Sequence, residues 1–223
     1  RTFDQAASGD LRIMAHTVEV RDGSSIGTFA LHDQGPAGDL TVDAGSVMVA
    51  DSFLGSRSRS GGDAGNVSVH AVDVSLVDGG EIGSTLHAAG DGGDISIQAE
   101  NLQVQGGLIV TGADFGAIGA PGDIDVVATH IALTQGGEIS SNIYVTFFNP
   151  HPAGNIHVRA HDLIVDGYPS GINSENFSRL PSAGGSIAIE ADRITLTGGA
   201  GITSDSTFGP AGDIFLILPP DGI

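Results

Sequence analysis

The chain has no cysteine, no lysine and no tryptophan. Without cysteine there are no disulfides, no thiolate nucleophile and no zinc-thiolate centre. Without lysine there is no Schiff base, no ammonium nucleophile and no phosphate-binding P-loop. Cations are scarce altogether: eight arginines stand against 27 acidic side chains, for a formal charge of −19 over 223 residues. That sign excludes a nucleic-acid binder, which needs clustered cations to displace counterions from phosphates. It also disfavours anionic membrane surfaces. Nine phenylalanines and two tyrosines leave few flat rings for stacking on bases or sugars. No apolar run reaches the length of a bilayer span.

What the chain does have is glycine, 35 residues of it, and a repeat. A glycine, a small polar residue and an apolar-x-apolar triplet recur eight times, beginning at Gly9, Gly38, Gly65, Gly93, Gly122, Gly154, Gly185 and Gly212. Successive starts lie 27 to 32 residues apart. An alanine follows six residues after the glycine in each complete unit, and a second apolar-x-apolar pair comes three residues later. After a turn rich in Gly and Asp there is a third short segment, apolar-x-Ser/Thr, ending in Thr28, Ser56, Ser84, Thr111, Ser141, Ser174 and Ser204. Residues two apart on a strand face the same way, so these hydroxyls are expected to point inward beside their Ile or Leu. Buried hydroxyls need partners, and stacked ones can bond one another and nearby backbone.

The part of each unit from its first glycine to this hydroxyl holds 19 to 21 residues, while the tail to the next glycine holds 7 to 12. Length variation confined to one corner is the behaviour of a solenoid. Period-2 alternation and the richness in Val, Ile and Thr oppose helices. The expected fold is therefore all-β: a parallel β-helix of about seven coils with three short strands per coil, right-handed by the chirality of parallel crossovers. Residues 1–223 read as one such segment, taken from a longer shaft.

Three phrases carry a resemblance: Gly93-Asp94-Ile95-Ser96-Ile97-Gln98-Ala99, Gln135-Gly136-Gly137-Glu138-Ile139-Ser140-Ser141, and Thr203-Ser204-Asp205-Ser206-Thr207-Phe208-Gly209 followed by Ala211-Gly212-Asp213-Ile214. Over residues 9–217 the pattern resembles the repeats of two-partner-secretion exoproteins, the filamentous-haemagglutinin-like adhesins of Gram-negative bacteria and cyanobacteria. The resemblance implies a secreted or cell-surface location and export through an outer-membrane partner. It further implies attachment to a receptor or glycan on a host or neighbouring cell. The amino-terminal Asn-Pro-Asn-Gly-type secretion motif of that family is not present, so the segment corresponds to shaft.

Candidate sites are few. The residue after each starting glycine is Asp10, Asp39, Asn66, Asp94, Asp123, Asn155, Ser186 or Asp213. A calcium ladder is one reading; turn chemistry is the other, and the interchange with Asn and Ser favours it. His157 and His161 lie too far apart on an extended chain to share one ion. Stacking instead sets His161 beside Asp192, and His130 beside Asp162, which in turn neighbours Arg193, as outward pairs. No metal, cofactor or catalytic group is expected. Enzymes of β-helical fold, polysaccharide lyases and hydrolases, and tailspike-like glycan binders remain the alternative, with Asp123-x-Asp125 as one carboxylate pair. The longest tail, residues 142–153, holds Tyr144, Phe147, Phe148 and His151. Tyr144, Phe148 and His151 are the candidate partner-binding residues, and Phe147 is expected to fold back on neighbouring coils. The corner residues Phe29, Leu86, Phe115, Phe177 and Phe208 are expected to form a second small apolar stack. Open strand edges allow end-to-end self-association.

Overall fold

Each repeat begins at a glycine because there the backbone nearly touches the coil before it. A Cβ on Gly65 would lie 1.9 Å from the Gly38 carbonyl oxygen, one on Gly122 2.2 Å from that of Gly93, and one on Gly185 2.0 Å from that of Gly154. Only a hydrogen atom fits at this approach. The computed structural model describes residues 7–31, 35–59, 61–113, 116–144 and 149–218, which fold as strands and turns without a helix.

The first two coils hold β1 (Leu11–Val20), β2 (Ser25–Ala30), β3 (Leu40–Ala50) and β4 (Phe53–Ser58). The third holds β5 (Val67–His70), β6 (Asp73–Val77) and β7 (Glu81–Leu86). Then come β8 (Ile95–Gln105), β9 (Leu108–Ala113), β10 (Ile124–Thr134) and β11 (Glu138–Ile143). The last are β12 (Ile156–Asp166), β13 (Gly171–Asn176), β14 (Ile187–Thr197), β15 (Gly201–Ser206) and β16 (Ile214–Ile217). The long strands form one parallel sheet, in the order β1-β3-β5-β8-β10-β12-β14-β16 with β6 beside β3 and β8. The short strands form the other, from β15 through β13, β11, β9, β7 and β4 to β2. This is a parallel β-solenoid of about seven turns.

The first two strands expected in each coil are in most coils a single strand bent at the alanine. Pairing between β10 and β12 runs to Ala128–Ala160, skips a residue, and resumes at His130–Asp162. Only in the third coil does the bend break the strand, between His70 and Asp73. A methyl group is small enough for the inside of that bend, and Ala128 and Ala191 are buried there. The turn after the long strand uses left-handed backbone, with φ of 50° and 83° at Asp78-Gly79 and 53° and 83° at Gln135-Gly136. Asp and Gly accept it readily; Gln135 takes it as an exception.

Inside, Ile124, Val126, Ile131 and Leu133 of β10 meet Ile139 of β11, and the equivalents in each coil stack in register above and below. The hydroxyl column stacks too, from Thr28 through Ser56, Ser84, Thr111, Ser141 and Ser174 to Ser204. All seven side chains are buried. They bond backbone rather than one another. The Ser84 hydroxyl donates to the Gly65 carbonyl and accepts from the Gly93 amide, both at 3.0 Å. Ser56, Ser141, Ser174 and Ser204 make the same two bonds to the glycines that open their own and the next coil. Thr28 and Thr111 donate to the glycine of the next coil, Gly38 and Gly122. Glycine and hydroxyl are thus two halves of one clasp that closes each turn and joins it to its neighbour.

A second apolar cluster lies under the corner loops, but its members are Ala64, Leu86, Ala113, Ala117 and Ile143. Of the described members of the expected stack only Leu86 belongs to it. Phe177 and Phe208 are exposed, and Phe29 lies against Phe53 with ring centroids 6.0 Å apart. The corner path aims Leu86 and Ile143, one residue past an outward position on their strands, back into the gap. Phe115, Phe147 and Phe148 lie outside the described residues.

Candidate functional site

From Asp10 to Asn155 the outward Asp/Asn column joins each coil to the next. Asp39 Oδ1 accepts the Asn66 amide at 2.7 Å, Asn66 Oδ1 the Asp94 amide at 2.9 Å, and Asp94 Oδ1 the Asp123 amide at 2.8 Å. Asp123 and Asn155 continue the chain of bonds to Asn155 and Ser186. A side-chain carbonyl serves as well as a carboxylate, which explains the interchange of Asp with Asn. Asp125, the second carboxylate of the Asp123-x-Asp125 pair, lies 3.4 Å from His157.

The outward histidine pairs form as the register requires. His161 Nδ1 meets Asp192, His130 Nδ1 lies 3.2 Å from Asp162, and Arg193 Nε lies 3.4 Å from the same carboxylate. Arg159 joins Glu190 at 3.0 Å and holds its carboxyl below the usual carboxylate range. Among the described residues no three or more His, Asp or Glu side chains are placed to share a metal ion.

A cleft opens on the outer face of the short-strand sheet. Outward positions on β11 are Glu138, Ser140 and Asn142, paired with Gly171, Asn173 and Glu175 on β13. These pair in turn with Gly201, Thr203 and Asp205 on β15. Beside Glu138, then, two successive strands carry no side chain; the Asn173 amide leans over Gly171, while Gly201 lines the hollow. Tyr168 and Pro169, in the turn leading to β13, stand over one side; Tyr144 and Phe177 stand over the other end. The cavity measures about 500 Å³, within the range of small-ligand sites.

Polar groups on its floor are held in place. Thr203 Oγ1 donates towards Asn173 Oδ1 at 2.9 Å and Glu175 Oε1 at 3.2 Å. Asn142 accepts the Glu175 amide at 3.0 Å and turns its own amide towards the Tyr144 hydroxyl at 3.4 Å. Tyr168 is 84 % exposed, Tyr144 38 % and Phe177 36 %. Burial, and then the nearby charge of Glu175, raise the Glu138 carboxyl above its ordinary range. Among the described residues no cationic side chain lines the cleft.

The same face is plugged at the other end of the stack. There the outward column is Gly27, Gly55 and Gly83, and the Phe53 ring lies across it. Arg57 sits 4.1 Å above that ring and reaches Glu81 at 3.3 Å. One face of one sheet therefore changes from a sealed surface to an open hollow within a few coils.

Of the three residues singled out from the sequence, Tyr144 lines the cleft. His151 is held by its backbone, its amide donating to the Asn149 side chain and its carbonyl accepting from Asn176, and it does not line the cavity. Phe148 lies outside the described residues. Glu138, Tyr168, Asn173, Glu175 and Thr203 were not anticipated. Period-2 alternation along the third strand marks Glu138 and Asn142 as outward, yet the hollow becomes visible only when Gly171 and Gly201 are known to lie beside Glu138. Set against models of protein families, curated proteins and solved structures, the chain matches none.

Proposed function

We propose that this chain is shaft from an extracellular adhesin, a rigid β-helical rod displaying loops and a surface cleft for attachment to a cell or surface. The observation that carries the reading is the contrast between the two faces of the sheets. Inward, one column runs Leu40, Val67, Ile95, Ile124, Ile156, Ile187; the outward column next to it runs Thr41, Ser68, Ser96, Asp125, His157, Ala188. A stack that keeps its interior uniform while its exterior varies freely is a scaffold for display. The resemblance to two-partner-secretion exoproteins supports the same reading, with export through an outer-membrane partner and a receptor or glycan of another cell as the target.

Beads coated with the purified chain test it. They should be retained on cells bearing the target, and periodate oxidation of surface glycans should release them. Retention no better than that of beads coated with an unrelated protein of equal charge refutes the reading. One observation favours a second reading, a polysaccharide hydrolase: Glu138 and Glu175 share one cleft, and Glu138 is displaced towards its protonated form, the pattern of an acid and base pair. New reducing ends from a neutral polysaccharide would establish it.

A further inference from the structure

We propose that the cleft bounded by Glu138, Tyr168 and Glu175 is a binding site for an organic ammonium group carried on a larger ligand. The inference deepens the attachment reading and rests on it only for where the ligand is met, on a surface polymer; the recognition chemistry is argued from the cleft.

Two carboxylates face one cavity that has no cationic lining residue among the described residues. Among the described residues the Glu138 carboxyl makes no hydrogen bond or ion pair, whereas that of Glu175 is held by Thr203. A bound cation removes the repulsion between them and supplies Glu138 with its missing donors, since an ammonium carries three. Tyr144, Tyr168 and Phe177 present ring faces or edges at the rim, and rings attract ammonium groups through their quadrupole. The −19 charge of the chain draws cations and repels anions over longer distances. A volume of about 500 Å³ is larger than a lone ammonium needs, so it has room for the body that bears it, such as a sugar ring or an alkyl chain. Two sources share this chemistry: an amino sugar with a free amine, and an alkyl polyamine.

Titration calorimetry in physiological salt separates them. The probes are a glucosamine tetramer, its fully N-acetylated counterpart and spermidine. The acetylated tetramer has the same rings without the charge, and it should bind at least tenfold more weakly than the amine form. Tighter binding of the glucosamine tetramer than of spermidine identifies the amino sugar, and the reverse identifies the polyamine; either supports ammonium recognition. Glu138→Gln should weaken the amine about tenfold, and so should Tyr168→Ala. Melting curves of both variants establish that they are folded. Equal affinity for the acetylated tetramer overturns the proposal, as does the absence of binding by both amines. Amine binding that is unchanged in Glu138→Gln also overturns it, because the attraction is then that of the overall charge. These are soluble probes, so the proposal can fail while bead attachment succeeds, and the reverse.

Discussion

Replacing Ser84 by alanine opens the clasp between the third and fourth coils. The side chain is 0 % exposed, so no water stands ready to replace its hydroxyl. Removal leaves the Gly65 carbonyl and the Gly93 amide without the bonds they now make to it. An orphaned buried polar group costs about 1–3 kcal/mol, so the two together cost about 3 kcal/mol. At 1.4 kcal/mol per decade, that is an increase of about 100-fold in local opening. Coils contact only their neighbours, so the effect should be local and a single melting temperature would blur it. Hydrogen exchange read by mass spectrometry over residues 65–111 is the assay. Ser96→Ala, on the outward face of β8, is the control and should change stability by less than about 0.5 kcal/mol. Exchange accelerated less than about threefold in Ser84→Ala, or equally in both variants, would refute the clasp.

Gly122→Ala should prevent the coils from stacking, because its Cβ would meet the Gly93 carbonyl at 2.2 Å; Gly9→Ala, with nothing within 4 Å, should be silent, and circular dichroism compares the two. Asp94→Asn should melt as the parent does, while Asp94→Ala should lose about 1 kcal/mol through the bond to the Asp123 amide; calcium should shift neither melting curve. For Glu138 the sign follows from proton linkage. Its folded pKa is raised, so between the ordinary value of 4.5 and the raised one the folded chain holds more protons than the unfolded chain. Stability therefore falls as pH rises through that window. Glu138→Gln should raise the melting temperature at pH 7 and gain little at pH 4; a variant equally stabilised at both pH values would contradict the stated cause.

The repeat was legible because its two signals, the opening glycine and the closing hydroxyl, are chemically demanding positions. Gly65 admits no Cβ, and among the described residues Ser84 is the hydroxyl that joins Gly65 to Gly93. That the hydroxyls bond glycine backbone rather than each other depends on how closely coils approach, and no pattern of residue types states that distance. The merging of two short strands into one was hidden for a similar reason: an alanine between two apolar-x-apolar pairs reads alike as a break or a bend. Corner side chains were misassigned because loop direction decides whether Phe177 or Ile143 points inward. The cleft was least legible of all. It gathers side chains of three strands beside Gly201, which has none, and their places beside Glu138 exist only once coils with tails of 12 and 10 residues have been set in register.

A passive shaft holds its ligand without altering it, and mass spectrometry of polysaccharides recovered from the immobilised chain tests that directly. A panel of neutral, acidic and amine-bearing polymers is passed over the chain, washed, eluted and weighed against the input. Retained polymers of unchanged mass are the expected result, with retention weakened when Tyr168→Ala replaces the parent chain. Shortened polymers, or products gaining an unsaturated end, would mean that the cleft does chemistry and that the shaft reading is wrong.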